Sequence, residues 1–242
     1  MARLPLSKKR KVNYRHIPFL YMANQLHNEQ RKEFQLERLI LFSDAVFAIA
    51  ITLLVIEIKI PDFHENVSDK ALLHSLGRLI PKFLGFVTSF MLIGFYWTVH
   101  HRIFGFVTSY TRKLLLLNLV FLFFVVLMPF STGFYSEYAG PDLIRLQLKV
   151  PMTFYVLNFC GMGFLNHFMW VYITNPKNKV AEPPVDPLVV KLARARSLVV
   201  PIIFFTGLPV AYLTNVIFAV YVPLLIPVIL RIMRKKIEKK FR

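Results

Sequence analysis

The chain has 242 residues, of which 56% are hydrophobic and only 18% charged, and its formal net charge is +17. So apolar a composition excludes a disordered chain and an ordinary soluble enzyme, and the single cysteine, Cys160, excludes an internal disulfide and a cysteine-rich metal site. The basic residues flank long apolar runs instead of covering one face, which indicates insertion into a lipid bilayer and no nucleic-acid partner.

Six apolar segments approach or exceed the roughly 20 residues that a helix needs to cross a bilayer. The sequence therefore predicts an all-α, polytopic membrane protein with six transmembrane helices. In chain order the segments cover residues 39–60, 83–104, 114–133, 150–173, 198–213 and 216–233. Only Thr214 and Asn215 separate the last two segments, for which we expect a tight helical hairpin.

Lysine and arginine are distributed unevenly between the two sets of connections. The chain has 30 lysines and arginines. Of these, 24 lie in the two tails, the connection between the second and third segments and the connection between the fourth and fifth, and 6 lie in the other connections. Because basic connections stay on the cytoplasmic side, both termini are expected in the cytoplasm. We expect a basic tail over residues 1–37, one transmembrane domain over 38–233 and a second basic tail over 234–242.

The first span carries polar residues at one end of an otherwise apolar helix. A carboxylate costs about 2.5–3.5 kcal/mol at the centre of a membrane helix, so Asp44 is expected to face a partner or water. At about 100° per residue, Arg38 and Asp44 lie about 120° apart and are badly placed to pair with each other. Their partners are therefore expected on other helices.

Another face of the first span combines small, hydroxyl-bearing and branched side chains. Its members are Ala45, Ile49, Thr52, Leu53 and Ile56. Asp44 falls almost opposite them on the helical wheel. Small residues among branched ones are typical of helix packing, which the pattern alone favours.

Three stretches resemble one protein family. RLILFSD, residues 38–44, matches the Arg-x-x-x-Phe-Ser-Asp signature that opens the first helix of the endosomal and lysosomal potassium channel family, transmembrane protein 175, and its bacterial homologues; Phe42 and Ser43 occupy two signature positions. WTVHHRIF at 97–104 is similar to the end of that family's second helix, and LNLVFLFFVVLMPF at 117–130 to its third. The resemblance extends over about residues 38–130 and indicates a bacterial member with a single repeat.

The resemblance implies a pore formed by four repeats and lined by the first helix. A chain with one repeat is then expected to form a homotetramer in the bacterial inner membrane. The family has no T-V-G-Y-G filter; its path narrows at apolar side chains that correspond to Ile49, Leu53 and Ile56, with a hydroxyl layer at Thr52. The implied activity is a potassium-permeable cation channel with modest selectivity for K⁺ over Na⁺, whose permeant ion is K⁺ and which needs no cofactor.

Ser43 and Asp44 lie off the face that would line the pore. We expect them to join helices in a polar cluster with His100 or His101 of the second span, completed by Trp97. An equally good interpretation places both histidines at the membrane interface, at the end of their helix.

The main alternative is a proton- or cation-coupled secondary transporter that uses Asp44 as its ion site. The sequence lacks the paired Gly or Pro interruptions in matching halves that are typical of such carriers. It also lacks Walker, G-x-S-x-G and H-E-x-x-H motifs, and its other histidines are scattered, so neither an enzyme nor a metal site is predicted.

Overall fold

The structure, a computed structural model, describes residues 17–59, 68–138, 147–181 and 185–241, with side chains for 33–59, 68–138, 147–181 and 185–239. Over these ranges the chain is all-α, with two short 3-10 segments, Pro176–Asn178 and Val222–Leu225. Its helices are α1 Ile17–Ile56, α2 Asp69–Arg78, α3 Ile80–Phe104, α4 Arg112–Glu137, α5 Val150–Ile173, α6 Pro187–Leu213, α7 Val216–Tyr221 and α8 Ile226–Phe241.

Five helical stretches of the described residues are long and apolar enough to cross a membrane. They are Glu33–Ile56 within α1, the whole of α3, α4 and α5, and Val216–Lys239 across α7 and α8. These stretches follow five of the six predicted segments. The chain is therefore a multi-pass membrane protein.

Helix α6 begins earlier than the predicted segment and is not among these five stretches. Its first half carries Lys191, Arg194 and Arg196, and its apolar second half contains Pro201 and Pro209. The sixth crossing therefore stays a prediction.

The last two apolar segments form a hairpin, as their short separation predicts. Helix α6 ends at Leu213, and the Asn215 side chain accepts a hydrogen bond from the backbone N–H of Ile217, at 2.9 Å, which caps α7. Both α7 and α8 pack back against α6.

The centre of the bundle is α4, which packs against α1, α3 and α5. Its side chains Phe121, Val125 and Met128 are fully buried in the core. Helix α6 lies on the far side of α5, and α1 lies at the edge of the bundle, where it contacts only α3 and α4 among the described helices. One side of α1 is therefore packed and the other is not.

The connection between α5 and α6 is tied to the connection between α3 and α4. Val180 is fully buried, and its carbonyl accepts a hydrogen bond from the backbone N–H of Thr108 at 2.9 Å. At the start of α4, the Thr111 hydroxyl accepts a hydrogen bond from the Leu114 N–H and caps the helix. The first contact joins the two connections at this end of the bundle, and the second is local to the start of α4.

Candidate functional site

One face of α1 is left uncovered by the rest of the described chain. Ile49 is 57% exposed, Leu53 38% and Ile56 67%. Ala45 and Thr52 are exposed between them, and we refer to these five residues as the open face. In a membrane such a face contacts lipid, another copy of the chain, or a water-filled path.

The Thr52 hydroxyl on the open face is bound to its own helix. It donates its hydrogen to the carbonyl oxygen of Ile49 at 2.8 Å. A hydroxyl has one hydrogen and two acceptor lone pairs, so this contact leaves the oxygen free to accept from water or to approach a cation. The geometry makes Thr52 an acceptor on the exposed surface.

Two signature residues extend the line of the open face toward the amino-terminal end of α1. At about 100° per residue, Arg38 and Phe42 each lie about 20° from Ile49 around the helix. Both are exposed, and the Arg38 guanidinium lies 5.7 Å from the centroid of the Phe34 ring. Within one chain, neither residue contacts Asp44 through a described hydrogen bond or ion pair.

The opposite side of α1 is closely packed. Ser43, Phe47, Ala50 and Leu54 are each no more than 1% exposed. We refer to these four residues as the packed face. They lie against α3 and α4, so this side of α1 holds the helix in the bundle.

A buried chain of hydrogen bonds joins the packed face to both neighbouring helices. The Asn118 side chain of α4 donates from Nδ2 to Ser43 Oγ at 2.8 Å, and Ser43 Oγ donates to the Leu39 carbonyl at 2.8 Å. Asn118 Oδ1 lies 2.8 Å from Nε2 of His100 on α3. Because a carbonyl oxygen only accepts, this amide orientation places the His100 proton on Nε2.

Aromatic rings enclose the buried histidine. The His100 ring centroid lies 4.3 Å from that of Phe104, 5.5 Å from that of Phe47 and 5.6 Å from that of Phe121. This enclosure keeps water away from the three-residue chain of hydrogen bonds. The hydrogen bonds therefore join α1, α3 and α4 in a dry environment, where an unpaired polar group would be costly.

Asp44 has a different partner from the histidines expected for it. The Trp97 indole N–H donates to Asp44 Oδ1 at 2.9 Å, and no described hydrogen bond joins Asp44 to a histidine. The His101 ring stacks on Trp97, with centroids 5.8 Å apart and an angle of 30° between the planes. The structure thus joins Asp44 to Trp97, on which His101 stacks, and places His100 in a separate chain of hydrogen bonds with Asn118 and Ser43.

Several known proteins are similar in sequence to this chain. Residues 38–129 match the family model described as endosomal/lysosomal potassium channel TMEM175. A potassium channel of Streptomyces collinus is 34% identical over 155 residues, covering 64% of this chain and 72% of that one. A potassium channel of Chamaesiphon minutus is 38% identical over 141 residues, covering 58% of this chain and 67% of that one. The chain belongs to the TMEM175 family.

The fold of this TMEM175 protein is also shared with a solved structure. A crystal structure of a lysosomal potassium-selective channel TMEM175 homologue from Chamaesiphon minutus aligns with a TM-score of 0.67 and 29% identity. The alignment covers 84% of this chain and 99% of that one. The expected bacterial member of this family is confirmed, and the family consists of ion channels, not enzymes.

The sequence did not identify Asn118 as a site residue. It could have been found as the lone asparagine in the apolar run LNLVFLFF, because membrane helices rarely carry an amide side chain without a hydrogen-bond partner. The described part of this TMEM175 chain contains no cluster of three or more histidine, cysteine, aspartate or glutamate residues that could hold a metal ion. The candidate site described above consists of apolar side chains, one exposed hydroxyl and buried hydrogen bonds.

Proposed function

We propose that this TMEM175 protein is a potassium-permeable cation channel, formed by four copies that turn the open face of α1 toward a common axis. The observation that carries the proposal is the contrast within α1, where apolar and hydroxyl groups are left uncovered directly opposite a packed face. The relatives named as potassium channels support it. The basic tails and connections support a bacterial inner-membrane location with both termini in the cytoplasm.

The constriction consists of the three large apolar residues of the open face, Ile49, Leu53 and Ile56. Four isoleucine side chains around one axis give an ion no replacement for the water it must leave behind, and a narrow apolar passage empties of water. The passage conducts only when it widens enough for hydrated ions. Apolar side chains in this position therefore act as a gate.

Thr52 supplies the polar layer of the path. Its hydroxyl hydrogen is bound to the Ile49 carbonyl, so four symmetry-related oxygens are free to face a cation. K⁺ loses its water more readily than Na⁺, and a layer of only four hydroxyls replaces part of its shell. The selectivity for K⁺ is therefore modest.

The packed face sets the direction in which the open face points. Ser43 is joined through Asn118 to His100, and Trp97 binds Asp44, so α1 is attached to α3 and α4 by polar contacts as well as by packing. These contacts resist rotation of α1 about its own axis. Rotation would carry Ile49 and Thr52 away from the pore.

A coupled transporter that uses Asp44 as its ion site is not favoured. The relatives from Streptomyces collinus and Chamaesiphon minutus are named as potassium channels, and the Asp44 carboxylate already accepts a hydrogen bond from Trp97. A channel mechanism also predicts K⁺ currents that continue when no second, coupled ion is present.

The decisive experiment records K⁺ and Na⁺ currents from protein reconstituted in liposomes, with the molecular mass of the solubilised assembly measured in parallel. Ile49→Asn is expected to raise the basal current, because a polar constriction stays wet. Val55→Asn is the matched control: Val55 is also β-branched and 53% exposed on α1, but it lies outside the open face. Equal currents in the two variants would remove the open face from the pore, and a monomeric mass would contradict the proposal.

Thr52→Ala tests the hydroxyl layer in the same recordings. We expect the K⁺/Na⁺ permeability ratio to fall about threefold, which corresponds to less than about 1 kcal/mol. The open-face alanine Ala45 offers a control through Ala45→Ser, which adds a hydroxyl elsewhere on that face. An unchanged ratio in Thr52→Ala would show that selectivity arises at another layer.

A further inference from the structure

A second candidate site lies in a cavity to which α1 does not contribute. A cavity of about 590 Å³ opens between α3, α5, α6 and α8, and no residue of α1 lines it. Four arginines line it, Arg102, Arg196, Arg231 and Arg234, and its apolar part includes Trp170. We refer to this cavity as the basic pocket.

Three of the four arginines that line the basic pocket have no ion-pair partner among the residues that the structure describes. Arg234 donates from Nε to Glu238 at 2.7 Å, on the same helix. Over the described residues, no carboxylate lies within ion-pair distance of Arg102, Arg196 or Arg231. Three like charges along the wall of one cavity favour the binding of an anion there.

A buried amide gives a second, independent indication of a ligand. Asn166, on α5, lines the basic pocket and is only 2% exposed. Its Oδ1 atom has no hydrogen-bond partner among the described residues. Buried polar atoms are nearly always paired, so an unpaired one in the wall of a cavity indicates a missing donor.

We propose that the basic pocket binds an anionic phospholipid. The phosphate would contact Arg102, Arg196 and Arg231, because a guanidinium matches a phosphate with two parallel hydrogen bonds. A hydroxyl of the head group, such as that of the terminal glycerol in phosphatidylglycerol, would donate to Asn166 Oδ1, and part of an acyl chain would lie against Trp170. Basic pockets between transmembrane helices on the cytoplasmic side are suited to anionic lipid head groups.

The position of the pocket favours a membrane lipid over a soluble phosphate compound. Its walls belong to α3 and α5, both of which are long and apolar enough to span the bilayer, and to α8 within the stretch Val216–Lys239. The volume falls in the range of about 300–1,000 Å³ that is typical of small-molecule sites. In the proposed orientation the pocket faces the inner leaflet, so the lipid would come from that leaflet, whereas the binding itself does not depend on conduction.

Tryptophan fluorescence gives a direct readout, because the chain has two tryptophans, Trp97 and Trp170. In a Trp97→Phe background, all tryptophan fluorescence comes from Trp170. Phosphatidylglycerol with brominated acyl chains, added to protein in neutral detergent, is expected to quench Trp170 in a saturable way and far more strongly than the same brominated phosphatidylcholine. Equal quenching by the two lipids would overturn the proposal, because it would indicate only a lipid-facing tryptophan.

Two triple variants with the same loss of charge separate the pocket from general basicity. In the first, Arg102, Arg196 and Arg231 are each changed to Gln; in the second, Lys235, Lys236 and Lys239 of the same basic end of α8 are changed to Gln. We expect the arginine variant to bind phosphatidylglycerol at least about tenfold more weakly and the lysine variant to keep most of its affinity. An equal loss in both variants would overturn the site.

Two further measurements use the phosphate itself and the unaltered chain. Inorganic phosphate, at the concentration of the lipid, is expected not to displace phosphatidylglycerol, and full displacement would overturn the lipid assignment in favour of a soluble phosphate compound. Native mass spectrometry of the unaltered protein needs no variant and is expected to show phosphatidylglycerol retained in preference to phosphatidylcholine. Equal retention would overturn the proposal even if a variant failed to fold, and neither result depends on whether the protein conducts.

Discussion

The two faces of α1 have opposite environments although they belong to one helix. Leu53 is 38% exposed and Leu54, the next residue, is 1% exposed. The packed face has van der Waals and hydrogen-bond partners within the chain, whereas the open face has almost none. The difference teaches that folding of a single chain uses one side of α1 and leaves the other side for an interaction outside that chain.

The largest expected effect comes from a pair of adjacent leucines. Leu54→Ala should lower the free energy of unfolding by about 2–4 kcal/mol, because it removes packing and leaves a cavity next to α3 and α4. Leu53→Ala should change it by less than about 1 kcal/mol but should alter the basal current. Thermal unfolding in detergent and liposome recordings measure the two properties, and equal destabilisation would show that the faces are not distinct.

The next largest effect concerns the contact between α3 and α1. Trp97→Phe should cost about 1.5–2 kcal/mol of stability, because it removes the indole N–H that binds the Asp44 carboxylate. A double-mutant cycle with Asp44→Ala measures the contact itself, since both single changes remove the same hydrogen bond. Additive losses in the double variant would mean that Trp97 and Asp44 act independently.

The smallest effect is expected in the buried chain of hydrogen bonds. Ser43→Ala should cost about 1 kcal/mol, because Asn118 Nδ2 loses its acceptor in a place without water. Thr98→Ala is the control: the Thr98 hydroxyl donates only to the Phe95 carbonyl of its own helix and is exposed. Similar losses of stability from the two substitutions would contradict a special role for the buried contact.

The sequence predicted the family and the all-α class because each depends on local information, whereas for the open face the pattern alone favoured helix packing. Hydropathy identifies membrane helices, and the 3.6-residue period separates the two sides of one helix. The signature at residues 38–44 supplied the family. The placement of Arg38 and Asp44 on different sides of α1 also followed from the period alone.

The partners of the polar residues were beyond such reasoning. A helical wheel gives the direction of Ser43 or Asp44 but not which neighbouring helix lies there, nor at what height. His100 and His101 are adjacent in sequence and differ by about 100° in direction, so one contacts Asn118 and the other stacks on Trp97. Such contacts depend on how α1, α3 and α4 pack, and this information is not local.

The start of α1 could have been found by a different use of the sequence. The helix begins at Ile17, well before the apolar segment, through a polar stretch that hydropathy does not detect. That stretch is rich in glutamine, glutamate, leucine, lysine and arginine, all good helix formers, and it has no glycine. Its membership of a cytoplasmic tail ending at residue 37 stays a prediction.

The unbroken course of α1 has a mechanical consequence. The helix has 40 residues, which correspond to about 60 Å, and its only proline, Pro18, lies in the first turn. Kinks in helices arise mainly at prolines, at glycines and where the hydrogen-bond ladder is interrupted, and the sequence of α1 offers no such proline or glycine beyond its first turn. A rotation imposed on the amino-terminal end of α1 is therefore passed along one continuous helix, and the contacts of Ser43 and Asp44 with α3 and α4 resist it before it reaches Ile49.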